Sequence, residues 1–290
     1  MKRPIKPPSY ELRKQRGTKK DLEIIKKYND EMALWLKKVN ERKFAMSDTN
    51  KIVYPKFQIT IKQIVDLFLK IYKKQNKGKE FKMTNGNSNE PEQYLHTLIL
   101  YFLKQKKFFE SHLLTKLSEP SFDKGLLTIG GYGNGKSTIW NALIKTFDII
   151  IKEVEKDYYS NRNEIIKTFK VNRVVSNEIV EAYNTAKQHE IKELFMPLKS
   201  MTQLYIDDIM REQDAFNFGR NNIFLGVLTN RADKGFITHL TLNYGINEDE
   251  SFKNINETLF EFSTRYDRRV YDRIFGNYNI IELKGGTFRK

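Results

Sequence analysis

The sequence predicts an α/β fold, a parallel sheet held between helices, preceded by a small helical domain. Three observations predict it. From about residue 119 onward, apolar runs of strand length alternate with helix-compatible stretches, as in a parallel sheet covered on both faces. Within that region Gly130-Gly131-Tyr132-Gly133-Asn134-Gly135-Lys136-Ser137-Thr138 fits G-x-x-x-x-G-K-[ST]. It stands between a strand candidate and a helix candidate, the context a phosphate-binding loop requires. Residues 1–115 instead carry apolar side chains at three- and four-residue spacing, and nothing in them is catalytic.

Composition bounds the rest. At 290 residues the chain is long for one compact unit, so two domains are expected, and 20 Phe and 15 Tyr supply ample core. Lys and Arg number 51 against 36 Asp and Glu, a formal charge of +15. That excess points to a polyanion, most simply nucleic acid, although a lysine-rich surface from an AT-rich genome gives the same count. Cysteine is absent, which excludes disulfides and thiolate metal sites. His96, His112, His189 and His239 are scattered without ligand spacing. No apolar run approaches the ~20 residues that span a bilayer. The basic N-terminus lacks an apolar signal core, so a cytoplasmic protein is expected, with no membrane partner.

Residues 1–18, with Pro4, Pro7, Pro8 and clustered Lys and Arg, read as a basic arm, either tracking phosphates or simply solvated. Thr18 and Asp21 resemble a capping box opening a long helix. Its stripe of Leu22, Ile25, Tyr28, Met32, Trp35 and Val39 covers its own domain or a partner. Thr60 and Gln63 are placed to cap a second helix carrying Ile64, Val65, Phe68, Leu69 and Tyr72. Residues 75–90 read as a polar loop, and Pro91 suits the first turn of a third helix holding Tyr94, Leu95, Leu98, Ile99 and Phe102. A helical module over residues 1–115 and an α/β domain over 116–290 follow.

In the second domain, Leu126-Leu127-Thr128-Ile129 predicts the strand before the glycine loop, and a helix runs from the loop to about Tyr159. Glycines let backbone N–H groups turn inward around phosphates, and the helix N-terminus adds partial positive charge. Lys136 is suited to the β- and γ-phosphates and Ser137 to Mg²⁺. The chain is therefore expected to bind ATP with Mg²⁺. After a charged stretch, residues 169–175 read as a strand, Ile179, Val180 and Tyr183 as a helix, and Leu204-Tyr205-Ile206 as a strand ending in Asp207-Asp208. There Asp207 is placed to hold Mg²⁺ through water, opposite Ser137. Asp208 is placed to polarise the attacking water, or else to serve as a supporting carboxylate or helix cap. Residues 221–232 read as a helix and 236–243 as a strand whose terminal Asn243 suits the γ-phosphate or the lytic water. Asn230 sits in a similar run but within the helical pattern, so Asn243 is preferred. Arg269 and Arg273 lie four apart and share a helix face. They suit either a phosphate of a neighbouring subunit or a surface salt-bridge helix. Residues 278–283 read as the last strand.

Together these pieces resemble the DnaC/DnaI/IstB group of AAA+ ATPases, which includes bacterial and phage replicative helicase loaders. The matching stretches are Lys124-Gly125-Leu126-Leu127-Thr128-Ile129-Gly130 running into the loop, and Leu204-Tyr205-Ile206-Asp207-Asp208-Ile209 with Glu212 beyond. Arg231 with the Thr241-Leu242-Asn243 triplet, the box from Arg269 to Ile274, and Gly286-Thr287-Phe288-Arg289 complete the pattern, which covers residues 119–290. The resemblance implies a AAA+ core without a C-terminal lid, an ATPase assembled as an ATP-dependent homo-oligomer through shared sites. It implies that Arg273 is the arginine finger and Arg269 its support. It implies a replicative DNA helicase and single-stranded DNA as partners, with residues 1–115 docking the helicase. An IstB-like transposition ATPase assembling on duplex DNA is the alternative. Three departures stand out: Met210 in place of a small residue, an apparent insertion over 157–168, and a long Asn- and acid-rich connection over 245–264.

Overall fold

This computed structural model describes residues 7, 14, 16–48, 55–84, 88–217 and 222–287. Most of the basic arm therefore lies outside the described residues, as do Asn221, Phe288 and Arg289. The chain divides into two compact units, Met1–Pro55 and Lys56–Lys290. In the first, helix α1 spans Lys19–Asp48. Asp21 N–H donates to Thr18 Oγ1 at 3.2 Å and the Thr18 hydroxyl to Asp21 Oδ2 at 2.7 Å, closing the first turn as the sequence predicts. Of the apolar stripe, Ile25 is buried, Tyr28, Met32 and Trp35 are half-buried, and Leu22 is exposed; the Val39 side chain lies outside the description.

The second unit opens with α2 (Ile61–Gln75), started by the Thr60/Gln63 capping box, and α3 (Glu90–Phe102), with Pro91 in its first turn. The core follows in chain order as β1 (Gly125–Gly130), α4 (Lys136–Lys156), α5 (Arg162–Phe169), β2 (Asn172–Val175), α6 (Ser176–Thr185), α7 (Glu190–Ser200) and β3 (Gln203–Asp207). Then come α8 (Ile223–Asp233), β4 (Ile237–Asn243), α9 (Ile255–Tyr266), α10 (Arg268–Asn277) and β5 (Tyr278–Leu283). The five strands form one sheet in the order β2-β3-β4-β1-β5, every pairing parallel. The α/β class, a P-loop core of parallel sheet between helices, is as the sequence predicts.

Strand side chains alternate between two cores. Leu126, Tyr205, Ile281 and Leu283 face the core built with α2, α3 and α4. Leu127, Ile129, Leu204, Ile206, Leu240 and Ile280 face the core built with the helices from α6 to α10. Both faces being covered explains why β1 and β3 are buried at every position. Two polar residues tie the layers from inside. Arg231, fully buried, donates to Thr238 Oγ1 and to the carbonyls of Leu198, Met201 and Ile237 at 2.7–2.9 Å, joining the end of α7 to the start of β4. Burial pushes its guanidinium down to about 10. His239 accepts the Leu126 N–H at 3.2 Å, and burial holds it down at about 3, a neutral core histidine.

The structure corrects three expectations. The helical module does not extend to residue 115, because Ile64, Phe68, Tyr94, Leu98 and Phe102 of α2 and α3 share a core with Trp140 and Phe147 of α4. An amphipathic stripe says that a face is covered, not by what. Residues 245–264 are not a plain connection, since α9 begins at Ile255 behind an Asn254/Glu257 capping box. Phe169 ends α5 rather than opening a strand, and the apparent insertion over 157–168 is largely that helix.

Candidate nucleotide site

β1 delivers the chain at Gly130, and residues 131–135 turn back into α4, whose first residues are Lys136, Ser137 and Thr138. The turn needs φ of 75° at Gly133 and 88° at Gly135, a left-handed backbone that a Cβ would strain. Tyr132 and Gly133 form the turn of the loop, and Gly131 and Asn134 on either side of them are buried. The 21 residues of α4 aim their amino end at this loop, concentrating N–H donors and positive potential there.

Lys136 is only 6% exposed. Its Nζ donates to Gly130 O and Gly131 O at 2.9 Å and to Asn134 Oδ1 and Asn243 Oδ1 at 3.1 Å. Burial pushes this ammonium down to about 8, against the upward pull of Asp208, Asp207 and Glu90.

The sheet order places β4 between the loop strand β1 and the acidic strand β3, so three strand ends meet. The Ser137 hydroxyl donates to Asp207 Oδ1 at 2.6 Å. The same carboxylate accepts from Arg173 Nη2 at 2.8 Å, from the Tyr205 hydroxyl at 2.7 Å and from the Thr241 hydroxyl at 2.8 Å. Burial alone would raise the Asp207 pKa, but hydrogen bonds from Ser137, Arg173, Tyr205 and Thr241 outweigh it and hold the group below the usual carboxylate value. Tyr205 is itself fixed by stacking on Trp140 of α4, ring centroids 4.5 Å apart.

Asp208 follows with φ 57°, and its N–H donates to Thr241 Oγ1 at 3.1 Å. Its Oδ1 accepts from Asn243 Nδ2 at 2.6 Å. Asn243 thus bridges Lys136 and Asp208 directly, whereas Asn230 lies inside α8. Lys136, Ser137, Asp207, Asp208 and Asn243, singled out in the sequence, stand together. The two arginines do not join them. Arg269 is exposed on α10, and Arg273 Nη1 pairs with Asp233 Oδ1 at 2.9 Å, at the end of α8 that leads into the start of β4. That is the opposite end of the strand from Asn243.

Sequence reasoning missed Arg173, Arg211 and the anchoring role of Tyr205. It also missed the cluster in which buried Glu212 binds Arg265 Nε at 3.0 Å and the Tyr266 hydroxyl, tying the acidic loop to the end of α9. Tyr205 and Glu212 carried a signal, as parts of the motif around the acidic pair. For Mg²⁺ the donor set fits: a hydroxyl and a carboxylate oxygen already in contact, both hard ligands. Among the described residues no cluster of three or more His, Cys, Asp or Glu competes for a metal. That suits an ion that keeps waters and takes substrate phosphate oxygens.

The sheet order, the glycine loop and the acidic strand end define a P-loop NTPase fold. Among solved structures, this chain is similar to a proposed primosome component from Streptococcus pyogenes serotype M3, with 18% identity over 71% of this chain and 85% of that one, TM-score 0.43. It is also similar to the DnaC helicase loader (14% identity, 70% and 94% covered, TM-score 0.43) and to DnaI (16%, 71% and 88%, 0.41). No family model matches the chain, and no curated protein matches it. Among the described residues no helix is long and apolar enough to cross a membrane.

Proposed function

We propose that the chain is a Mg²⁺-dependent ATPase that loads a replicative DNA helicase onto single-stranded DNA, as the motif resemblance implies. The observation that carries the reading is the meeting of Lys136, the Ser137–Asp207 pair and the Asn243–Asp208 pair at the carboxyl ends of β1, β3 and β4. Loop N–H groups and Lys136 hold the triphosphate. Ser137 and Asp207 are the residues that would hold Mg²⁺, which when bound neutralises phosphate charge. Asn243 orients Asp208, and Asp208 takes the proton of the attacking water as its oxygen bonds the γ-phosphorus. The bond to the β–γ bridging oxygen breaks, and its electron pair leaves with ADP. Arg273, supported by Arg269, serves the site of a neighbouring subunit in an ATP-dependent homo-oligomer. The +15 charge supports a salt-sensitive, sequence-tolerant grip on single-stranded DNA. The first unit, residues 1–55, docks the helicase.

The test is light scattering after size exclusion on the full chain with a replicative helicase, with and without ATP. A complex that forms with ATP and is lost in Lys136→Ala supports the reading. No complex, but ATP-dependent assembly on duplex DNA, replaces it with the transposition ATPase.

A further inference from the structure

The positive charge of the chain is unevenly spread, and a dense part of it lies on α2, away from the glycine loop. Between Lys62 and Lys82 seven lysines are exposed against two carboxylates, Asp66 and Glu80. Lys62, Lys70, Lys73 and Lys74 fall on the face of α2 opposite Ile64 and Phe68, which enter the core. α4 balances its charge by contrast. From Lys145 to Lys156 three lysines stand with three carboxylates, and Lys145 and Lys156 pair with Asp148 and Glu153 at 3.3 and 2.6 Å. Among the described residues Lys73 alone of the seven is drawn into an ion pair, with Glu80 at 3.0 Å.

The lysines beyond α2 are held in place. The Gly78 N–H donates to Lys73 O at 2.8 Å and the Lys79 N–H to Asn76 O at 3.0 Å. Phe81 then packs on Phe68 and Tyr72, ring centroids 5.2 and 5.0 Å apart, folding the turn that carries Lys77 and Lys79 back onto the core. Beside this face opens a cleft of about 830 Å³, the volume of a small-molecule site. Gln75 and Asn76 at the end of α2, Asn141 and Lys145 of α4, and Asn172 and Arg173 of β2 line it. Asp148, the carboxylate in its wall, is the one paired with Lys145. The Asn76 and Asn172 Nδ2 groups donate to Tyr72 O and Gln203 O, which leaves these amides their oxygens as acceptors.

The chemistry narrows the ligand. No large apolar side chain is exposed between Lys56 and Thr84, so the face lacks the apolar half that a membrane surface requires. Lysines in a row suit phosphates, and amide oxygens suit the N–H groups on base edges. We infer that the lysine face of α2 and the adjoining amide cleft form the track of a single nucleic-acid strand, phosphates on the lysines and unpaired bases in the cleft. The inference rests on the single-stranded DNA part of the reading above and gives it a surface. Every base carries an N–H on its pairing edge, so the amides accept any of the four. A duplex has those groups paired and keeps only the phosphate contacts.

The experiment is fluorescence anisotropy with the full-length chain and a labelled mixed-sequence oligonucleotide over a series of salt concentrations. The oligonucleotide is presented as a single strand, as a duplex and as an abasic strand. Wild type is compared with Lys70→Ala/Lys74→Ala/Lys77→Ala, with Gln75→Ala, and with Lys116→Ala/Lys192→Ala/Lys234→Ala, which removes the same charge elsewhere. Each variant is first shown to melt like wild type. The α2 triple variant is expected to bind the single strand about tenfold more weakly and to flatten the log–log salt slope by about 2, at about 0.7 per lost phosphate contact. The control stays within about twofold. Gln75→Ala is expected to cost about threefold on the normal strand, as one hydrogen bond does, and nothing on the abasic one. Equal weakening in the two triple variants overturns the track and leaves single-stranded DNA binding standing. A duplex bound by wild type as tightly as the single strand, or a Gln75→Ala loss that persists on the abasic strand, overturns the place of the bases in the cleft. No binding of any strand by wild type overturns the track and the single-stranded DNA reading together.

Discussion

Lys136 keeps an ammonium in a place where burial works against it. Its pKa is down at about 8, so a fraction of the chain already carries it neutral at mildly alkaline pH. A polyphosphate favours the charged form, so binding above pH 8 must take up a proton. The sign is fixed: affinity for ATP falls as pH rises through 8, by up to about tenfold per pH unit. Calorimetry in two buffers of different ionisation enthalpy reads the proton uptake directly. A dissociation constant that is flat from pH 7 to 9.5, without proton uptake, would remove Lys136 from the phosphate contacts. At this scale the sequence was informative wherever a residue type was tied to a fixed spacing. Lys136, Ser137, the acidic pair and Asn243 were all legible. Arg173 was not, because a lone arginine in a four-residue edge strand has no partner until β2 pairs with β3 and sets it opposite Tyr205, two residues before Asp207. Arg211 carried no spacing signal either.

Among the elements, β1 approaches β4 too closely for a side chain at Gly125. A Cβ at Gly125 would overlap the backbone carbonyl of Thr238 on β4, an atom that cannot swing aside. Gly226, exposed inside α8, has nothing within 4 Å of an added Cβ. One substitution therefore has opposite signs in two elements. Gly125→Ala must separate β1 from β4 and is expected to cost about 3 kcal/mol or more, as overpacking does. Gly226→Ala is expected to gain about 0.5–1 kcal/mol by restricting the unfolded chain and favouring helix. Urea unfolding of both variants checks the pair, and equal shifts would deny the close strand contact. Helix legibility followed cap chemistry. The Thr60/Gln63 box announced α2, and the Asn254/Glu257 box announced α9 just as plainly, but the acid-rich stretch before it masked the signal. Leu259, Phe262 and Tyr266, buried at three- and four-residue spacing, would have confirmed it. α7 gave less to read, because Pro197 lies inside it.

At the scale of the whole molecule, the boundary decides which part can be removed. Periodicity made residues 1–115 look like one helical module, since α1, α2 and α3 share the same spacing. What periodicity lacks is the identity of the covering surface. Among the described residues neither core of the second unit takes a member from before Phe57. In contrast, Ile64, Phe68, Tyr94, Leu95, Leu98, Ile99 and Phe102 are fully or almost fully buried in the core that also holds α4. At about 1.5–3 kcal/mol for each such side chain, their loss removes on the order of 10–20 kcal/mol. A domain's net stability is on the order of 5–15 kcal/mol. A chain lacking residues 1–55 is therefore expected to melt cooperatively and to bind ATP like the full-length protein, while losing the helicase if the first unit is the docking element. A chain lacking residues 1–115 is expected not to fold at all, so its failure to bind a helicase would carry no information about docking. Thermal unfolding of both truncations, read before any binding assay, separates these cases. If the longer deletion melts cooperatively and binds ATP, α2 and α3 are dispensable to the nucleotide unit, and the boundary returns to residue 115.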